Sequence, residues 1–178
     1  MTFGIGTDGC LSSDNLNMFE AMRMAAFGSR VPGPDPRQWL SAAEAFEAAT
    51  IGGARALGME GRIGQIAPGC KADVVFLDLT SINYVPLNDP LLHVVFCEDA
   101  TGIDRVMIGG KMAVQDGRVI GIDMAKLAGE AADAAARLAE VNANARAFVQ
   151  ALEPVVLDYC VGLAREPYPV QRWCGHAS

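Results

Sequence analysis

Histidine is nearly absent from this sequence: two occur among 178 residues, His93 and His176. Zinc sites usually take about four ligands that include histidine nitrogen or cysteine sulfur, and a lone carboxylate is a poor zinc site. The five cysteines are widely spaced and form no CxxC pair. We therefore expect neither a zinc ribbon nor a disulfide framework. Reduced thiols in a cytoplasmic protein are the expected state.

Clusters of basic residues are also missing. The 14 Lys and Arg are scattered among 21 Asp and Glu, which gives a net charge of -7. Nucleic acids and anionic membrane surfaces attract clustered basic side chains, so we expect neither as a partner. No stretch approaches the roughly 20 apolar residues that cross a bilayer, which predicts no membrane span. The first residues carry no basic region and soon meet Asp8, so we expect no signal peptide.

What the sequence does contain is the composition of a globular domain, with 51% hydrophobic and 20% charged residues. Residues 2–7 predict a short buried strand that has no evident partner in the chain. A polar loop follows, and then a helix is predicted at 15–28, with Asp14 as its N-cap. Ser41 and Glu44 have the spacing of a capping box at the start of a helix that is expected to run to about Ala48, and a second short helix is expected to follow and to end at Leu57.

The second half of the chain has strand-type patterns before a long helical one. Gly109-Gly110 and Asp116-Gly117 predict two-residue hairpin turns of the primed type, which place a meander of short strands between residues 103 and 120. The predicted strands are 63–66, 72–78, 103–108, 111–115 and 118–120, and the predicted helices are 89–98 and 123–152.

Asp8 is the most informative polar residue. The Thr7-Asp8-Gly9 loop follows the predicted strand, and α/β barrels carry their catalytic groups at the C-terminal ends of strands. An aspartate there can bind a divalent cation and accept a proton from metal-bound water. Asp8 can equally be a turn residue or cap the helix that follows. The motif alone leaves both interpretations open.

Several segments, taken in order, resemble one enzyme family. They include Gly6-Thr7-Asp8-Gly9, Ser41-Ala42-Ala43-Glu44-Ala45, and Ala49 to Gly58 (ATIGGARALG). They continue with Gly61-Arg62-Ile63-Gly64, Ile66 to Val75 (IAPGCKADVV), and the hairpin that ends in Asp116-Gly117-Arg118. Over roughly residues 3 to 140, the chain resembles the metal-dependent amidohydrolase superfamily. The most similar subgroup is the deaminases and chlorohydrolases that act on purines, pterins, triazines and adenosine derivatives.

The resemblance implies an α/β fold: the C-terminal part of a (β/α)8 barrel plus half of the adjoining small β-sandwich. Residues 1–60 would be the last barrel strand and its helices, 61–120 the half-sandwich, and 121–178 a long helix and tail packed on the barrel. The family holds one divalent metal, zinc or iron. Asp8 matches the aspartate that serves there as metal ligand and proton shuttle, while metal-bound hydroxide attacks a ring carbon of a small heterocyclic substrate. No separate cofactor-binding residue is predicted.

The sequence departs from the family by lacking the histidine ligands, which lie on earlier strands. We therefore expect a C-terminal fragment that alone neither holds the metal nor catalyses, and whose partner is the missing N-terminal portion or a complementing chain. The alternative is a non-catalytic binding or assembly module derived from such an enzyme, with the helix at 123–152 docking a partner. A homo-oligomer is compatible with either interpretation.

The remaining polar candidates have structural explanations of equal or greater weight. His93 follows Asp89-Pro90 in an apolar run, where a packed histidine is expected rather than a ligand, and His176 lies close to the end of the chain. Ser12, Ser13 and Asn15 can face a substrate, or they can serve loop packing and helix capping. Cys10 can touch the pocket. Cys70 is expected to have no effect on function.

Overall fold

The computed structural model describes residues 3–10 and 15–166. These residues divide into two compact units, one within residues 1–120 and the other within residues 121–171. In the described part of the first unit, the helices are α1 (Met18–Gly28), α2 (Ala42–Glu47), α3 (Gly53–Ala56) and α4 (Pro90–Phe96), and the strands are β1 (Val74–Leu77), β2 (Ile103–Ile108), β3 (Lys111–Gln115) and β4 (Arg118–Val119). The second unit holds α5 (Met124–Val141) and α6 (Ala143–Ala164).

Side-chain caps fix where the first helices begin. The Asn17 side chain accepts hydrogen bonds from Phe19 N (2.9 Å) and Glu20 N (3.3 Å), so α1 begins at Met18. The predicted start at residue 15 is therefore wrong by three residues, and the predicted cap, Asp14, lies outside the described residues. The capping box is confirmed: Glu44 N donates to Ser41 Oγ, and Ser41 N donates to Glu44 Oε2.

The helical segment that begins at Ala42 continues past α2 through a π-helical turn at Ala48–Gly52 into α3. It ends near residue 57, as predicted, where Gly58 takes a positive φ of 65°. The strand predicted at 63–66 is wrong. Gly64 has a φ of +83°, which no strand residue adopts, and Ile66 is 85% exposed. These residues form a loop of turns and bends.

Alanine-rich contacts between α1, α2 and α4 make the core. Alanine side chains let helix backbones approach closely, and a single larger residue from each neighbouring helix then fills the remaining space. The buried members are Met22, Ala26, Ala42, Ala45 and Val95. At the margin, the rings of Phe27 and Phe96 stack with centroids 5.8 Å apart. The helix predicted at 89–98 is confirmed as α4, with Asp89 as N-cap and Pro90 in the first turn.

The four strands form one antiparallel meander in the order β1-β2-β3-β4. Val74 pairs with Met107, Val106 with Val114, and Val114 with Val119. Both predicted hairpin turns are confirmed, because all four turn residues have positive φ: 56° and 80° at Gly109-Gly110, and 51° and 67° at Asp116-Gly117.

The second unit departs from the single predicted helix at 123–152. Asp123 caps α5 as expected, but Asn142 (φ -93°, ψ 8°) separates α5 from α6. The second helix then passes through Pro154 to Ala164. As a result, α6 has 22 residues and is long and apolar enough, by length and composition alone, to cross a bilayer. The expectation that no stretch approaches that length is wrong for α6, since Pro154 does not end the helix.

Candidate metal and active site

The segment that carries Asp8 lies against the turn between α2 and α3. Residues 3–9 form no hydrogen-bonded strand, because no strand in the described part of the chain pairs with them. The predicted strand at 2–7 is in this respect wrong. Ile5 N donates to Ala48 O at 3.1 Å. The contact is tight, since a Cβ on Gly52 would lie 2.6 Å from Phe3 O. The helix backbone thus fixes the position of the segment just before Asp8.

Asp8 itself stands in a strained local turn. Its φ is +59°, a left-handed conformation that costs an ordinary L-residue about 1–2 kcal/mol and that aspartate tolerates better than most. Gly9 N donates to Asp8 Oδ1 at 2.7 Å, and Thr7 Oγ1 donates to Asp8 O at 3.3 Å. The residue is exposed. A carboxylate held in such a turn is suited to a turn role and remains accessible to a cation or substrate.

Beside this loop is an open depression of about 540 Å³. It is lined by residues 4–7 and by residues of α1, which include the exposed Met24. Polar groups stand at one side: Asn15 Nδ2 donates to Glu20 Oε2, and Asn17 N donates to Asn15 Oδ1 at 3.0 Å. Asp8 does not line the depression. The Asn15 amide is therefore engaged in capping the start of α1, in keeping with the structural explanation offered for it.

The described residues do not complete a metal site. Among residues 3–10 and 15–166, no group of three or more His, Cys, Asp and Glu side chains is placed to hold a metal ion. Asp8 offers one carboxylate, whereas zinc takes about four ligands with nitrogen or sulfur among them. The donor set present thus does not fit a zinc or iron ion by itself, and no catalytic step on a metal follows from these residues.

A buried polar cluster that the sequence did not reveal lies between α1 and the turn before β2. Glu98 is fully buried, and its Oε1 accepts from Asp99 N (3.1 Å) and Gly102 N (3.0 Å). Arg23 of α1 donates to the backbone oxygen of Glu98. Burial, and then the nearby Glu98 carboxylate, raise the pKa of Tyr84. The contact between Arg23 and Glu98 joins residues 75 positions apart, and the sequence pattern therefore gave no signal of it.

Arg23 Nε, the Tyr84 hydroxyl and Glu98 Oε2 are buried together, and in addition to this burial the Glu98 carboxylate lies close enough to the Tyr84 hydroxyl to raise its pKa. A Cβ at Gly102 would lie 2.5 Å from Glu98 Oε2, so a larger residue there would force the Glu98 carboxylate to shift. The cluster connects α1, which follows the Asp8 loop, to the turn that leads into the sheet. It is therefore a positioning element of the first unit.

The other candidates from the sequence are dispersed. His93 is half-buried, with its Nδ1 2.6 Å from Asn83 O and its ring stacked on Tyr84, so it is a packed structural residue. Cys70 Sγ donates to Gly61 O at 3.3 Å within the 61–70 loop. Cys10 is exposed two residues after Asp8. Ser12, Ser13 and His176 lie outside the described residues.

Comparison with known proteins places the chain in a family. The model of the amidohydrolase family matches residues 1–113. The chain is 38% identical over 123 residues to a 5-methylthioadenosine/S-adenosylhomocysteine deaminase of Acetivibrio thermocellus, covering 69% of this chain and 28% of the relative. It is 36% identical over 139 residues to a 5'-deoxyadenosine deaminase of Methanosarcina mazei, covering 78% of this chain and 32% of the relative.

Solved structures agree. A zinc-bound adenosine deaminase from Xanthomonas campestris superposes with a TM-score of 0.74 at 36% identity, over 78% of this chain and 31% of that one. A zinc complex of atrazine chlorohydrolase from Arthrobacter aurescens superposes with a TM-score of 0.68 at 29% identity, and the superposition covers 73% of this chain and 29% of that one. The chain thus spans about three tenths of the length of these relatives. The predicted fold, an α/β arrangement with part of the family's barrel and a small antiparallel sheet, is confirmed. Because the family model matches more than half of its residues, this chain belongs to the amidohydrolase family.

Proposed function

We propose that this chain is the C-terminal portion of a metal-dependent hydrolase that acts on carbon-nitrogen bonds other than peptide bonds, and that the whole enzyme deaminates a nitrogen heterocycle of the adenosine type. The observation that carries the proposal is the 38% identity to a deaminase of 5-methylthioadenosine and S-adenosylhomocysteine. The chlorohydrolase likeness is weaker in both identity and TM-score, so we favour an amine as the leaving group.

Asp8 is the residue of this chain to which we assign a role. Hydrolytic deamination forms a bond from a ring carbon to the water oxygen, breaks the bond to the exocyclic amine and releases ammonia. A carboxylate near the reacting atoms can take the proton from water and return it to the departing nitrogen. The exposure of Asp8 and its fixed turn support this assignment. We also propose Asp8 as one ligand of the zinc or iron ion that the family uses.

The remaining ligands must come from elsewhere. Among the described residues, no three His, Cys, Asp or Glu side chains are grouped to hold a metal ion, so we propose that the lone chain neither retains the metal nor turns over substrate. The polypeptide that completes the barrel, present as a preceding portion or as a complementing chain, would cover residues 4–7 and the face of α1 beside them. About one zinc or iron per 178-residue chain by elemental analysis, together with turnover, would contradict this assignment.

The function is tested with a chimera. The part of the Acetivibrio thermocellus relative that this chain does not match is fused ahead of Met1. Ammonia release is followed with S-adenosylhomocysteine, 5'-deoxyadenosine and guanine, and chloride release is followed with atrazine. We expect the two adenosine derivatives to be deaminated with kcat/KM values at least about tenfold above those for guanine and atrazine. A chimera that folds and binds metal but deaminates neither adenosine derivative would overturn the proposal that this chain completes a deaminase of that class.

A second candidate is a non-catalytic assembly module. The observation that favours it is the apolar surface of α5 and α6, none of whose residues is buried. For either function we propose a cytoplasmic location, supported by free thiols at Cys10, Cys70, Cys97 and Cys160.

A further inference from the structure

Helices α5 and α6 share one apolar stripe. Counting from Met124 in steps of seven gives Met124, Ala131, Leu138, Ala145, Leu152 and Tyr159. The positions three and four residues after each of these are also apolar, except Asn142, and no charged residue of either helix occupies the stripe. A repeat of seven with apolar residues at these spacings is the pattern of helices that pack along their length against other helices. The stripe runs for about 60 Å of helix.

Nothing in the described part of the second unit covers this stripe. Leu138 is 58% exposed, Leu152 40% and Tyr159 67%. The backbone ladder continues across the break, since Asn142 N donates to Leu138 O (3.0 Å) and Arg146 N to Asn142 O (2.9 Å). The stripe therefore stays on one side from α5 to α6.

Side-chain size changes along the stripe in a self-complementary way. The α5 half is rich in alanine, while the α6 half carries bulkier residues. If a second copy lies antiparallel with the two-fold axis near residues 146 and 147, Ala131 faces Gly162, Leu138 faces Val155, and Ala145 faces Phe148. Alternating small and large residues in facing positions is how helix interfaces interlock. A parallel pair would instead place alanine against alanine and Tyr159 against Tyr159.

Charges that flank the stripe give the same register. The antiparallel arrangement brings Arg137 opposite Asp158 and Glu130 opposite Arg165. No ion pair engages Arg137 or Asp158 among the described residues, whereas Glu130 already lies 3.8 Å from Lys126. Symmetry produces each pair twice. Such flanking charges set partner choice and orientation in helix pairs.

We propose that the α5–α6 stripe is a homodimer interface, in which two copies of this chain pair antiparallel about residues 146 and 147. A bilayer is a poorer occupant. Glu153 and Asp158 both fall within the apolar part of α6, and a charged residue at the centre of a membrane helix costs about 2.5–3.5 kcal/mol even on the insertion scale that penalises it least.

The test uses the full 178-residue chain in sedimentation equilibrium. The unsubstituted protein is expected at twice its 18.8 kDa monomer mass at micromolar concentration. Leu152→Glu places a charge in the stripe and should weaken the dimer at least about a hundredfold. Leu157→Glu makes the same substitution on the opposite face of α6, and its dissociation constant should stay within about twofold. Tryptophan fluorescence confirms that the first unit is intact in both variants.

The register is tested by charge exchange, which leaves the apolar stripe untouched. Arg137→Glu should weaken the dimer about tenfold, because two symmetric attractions become repulsions. Adding Asp158→Arg in the same chain should restore most of the loss. A monomer at micromolar concentration overturns the proposal, as does a protein that sediments only with phospholipid vesicles. A deaminase chimera that stays monomeric also overturns it, because the barrel on which residues 121–178 are predicted to pack would then cover the stripe. If Leu152→Glu and Leu157→Glu change the dissociation constant equally, the interface is refuted. If the double exchange does not restore the affinity of the dimer, the antiparallel register is refuted.

Discussion

Two adjacent glycines, Gly52 at the end of the π-helical turn and Gly53 at the start of α3, allow a test of how the Asp8 segment is held. A Cβ on Gly52 would lie 2.6 Å from Phe3 O and 3.2 Å from Glu47 O, both backbone atoms that cannot rotate away. A Cβ on Gly53 meets nothing closer than Ala48 O at 3.7 Å, an ordinary contact. The two positions have nearly the same helical backbone, with φ and ψ near -60° and -44°. They therefore differ mainly in the space available.

The expected magnitudes follow from these distances. Either substitution to alanine gains about 1 kcal/mol from helix propensity. For Gly53→Ala this gain remains, so the chain should be stabilised by about 0.5–1 kcal/mol. For Gly52→Ala, overpacking against the backbone costs about 1–3 kcal/mol, which cancels or exceeds the gain. The two variants should differ by about 1–3 kcal/mol, with Gly52→Ala the less stable.

Urea unfolding measures this difference. In a Trp173→Phe background, fluorescence reports on Trp39, whose indole N–H donates to Gly33 O at 2.9 Å within the helical part of the first unit. The free energies of unfolding of Gly52→Ala and Gly53→Ala are compared at equal m-values. Equal stability of the two variants would refute the account in which residues 3–7 pack directly on the backbone at Gly52.

Two further predictions concern the buried phenol and the capping box. Burial raises the pKa of Tyr84, so the folded chain keeps this phenol protonated while the unfolded chain ionises near pH 10. The contribution of the neutral Tyr84 phenol to the free energy of unfolding should thus be fully present below pH 10, and it should decrease as the pH rises above 10. The Tyr84→Phe variant should lack this decrease. The control variant Tyr159→Phe, at an exposed position, should keep it. A fall of the same size in Tyr84→Phe would refute this. Ser41→Ala should lower the free energy of unfolding by about 1 kcal/mol, because Glu44 N loses the Ser41 hydroxyl as its hydrogen-bond acceptor. Urea unfolding measures this change, and an unchanged midpoint would show that the capping box does not contribute to stability.

Local signals predicted the parts of the fold that local chemistry determines. Asp116-Gly117 predicted its hairpin because two successive positive φ angles suit aspartate followed by glycine. The Ser41 box fixed the start of α2 because both partners lie within one turn. The predicted strand at 63–66 failed because Gly64 has a positive φ that an apolar pattern does not reveal.

Contacts between residues far apart in the sequence could not be predicted from local residue spacing. Glu98 gave no signal because its significance depends on Arg23, far away in the sequence. The segment at 2–7 was read as a strand from its composition, yet a strand requires a partner, and none is present among the described residues. At Asp8 the sequence identified the residue, while the geometry supplied its turn and its exposure. Its catalytic role stays a prediction, since the other ligands are not part of the described chain.

The most direct test of the account compares Asp8→Asn with Asp116→Asn in the deaminase chimera. Both aspartates are exposed and have left-handed backbones, with φ of +59° and +51°, and asparagine tolerates that conformation equally well. We expect Asp8→Asn to lower kcat for 5'-deoxyadenosine by about 100-fold to 10,000-fold with an unchanged urea midpoint, while Asp116→Asn stays within about twofold. Full activity in Asp8→Asn would remove this carboxylate from the mechanism and contradict the central claim.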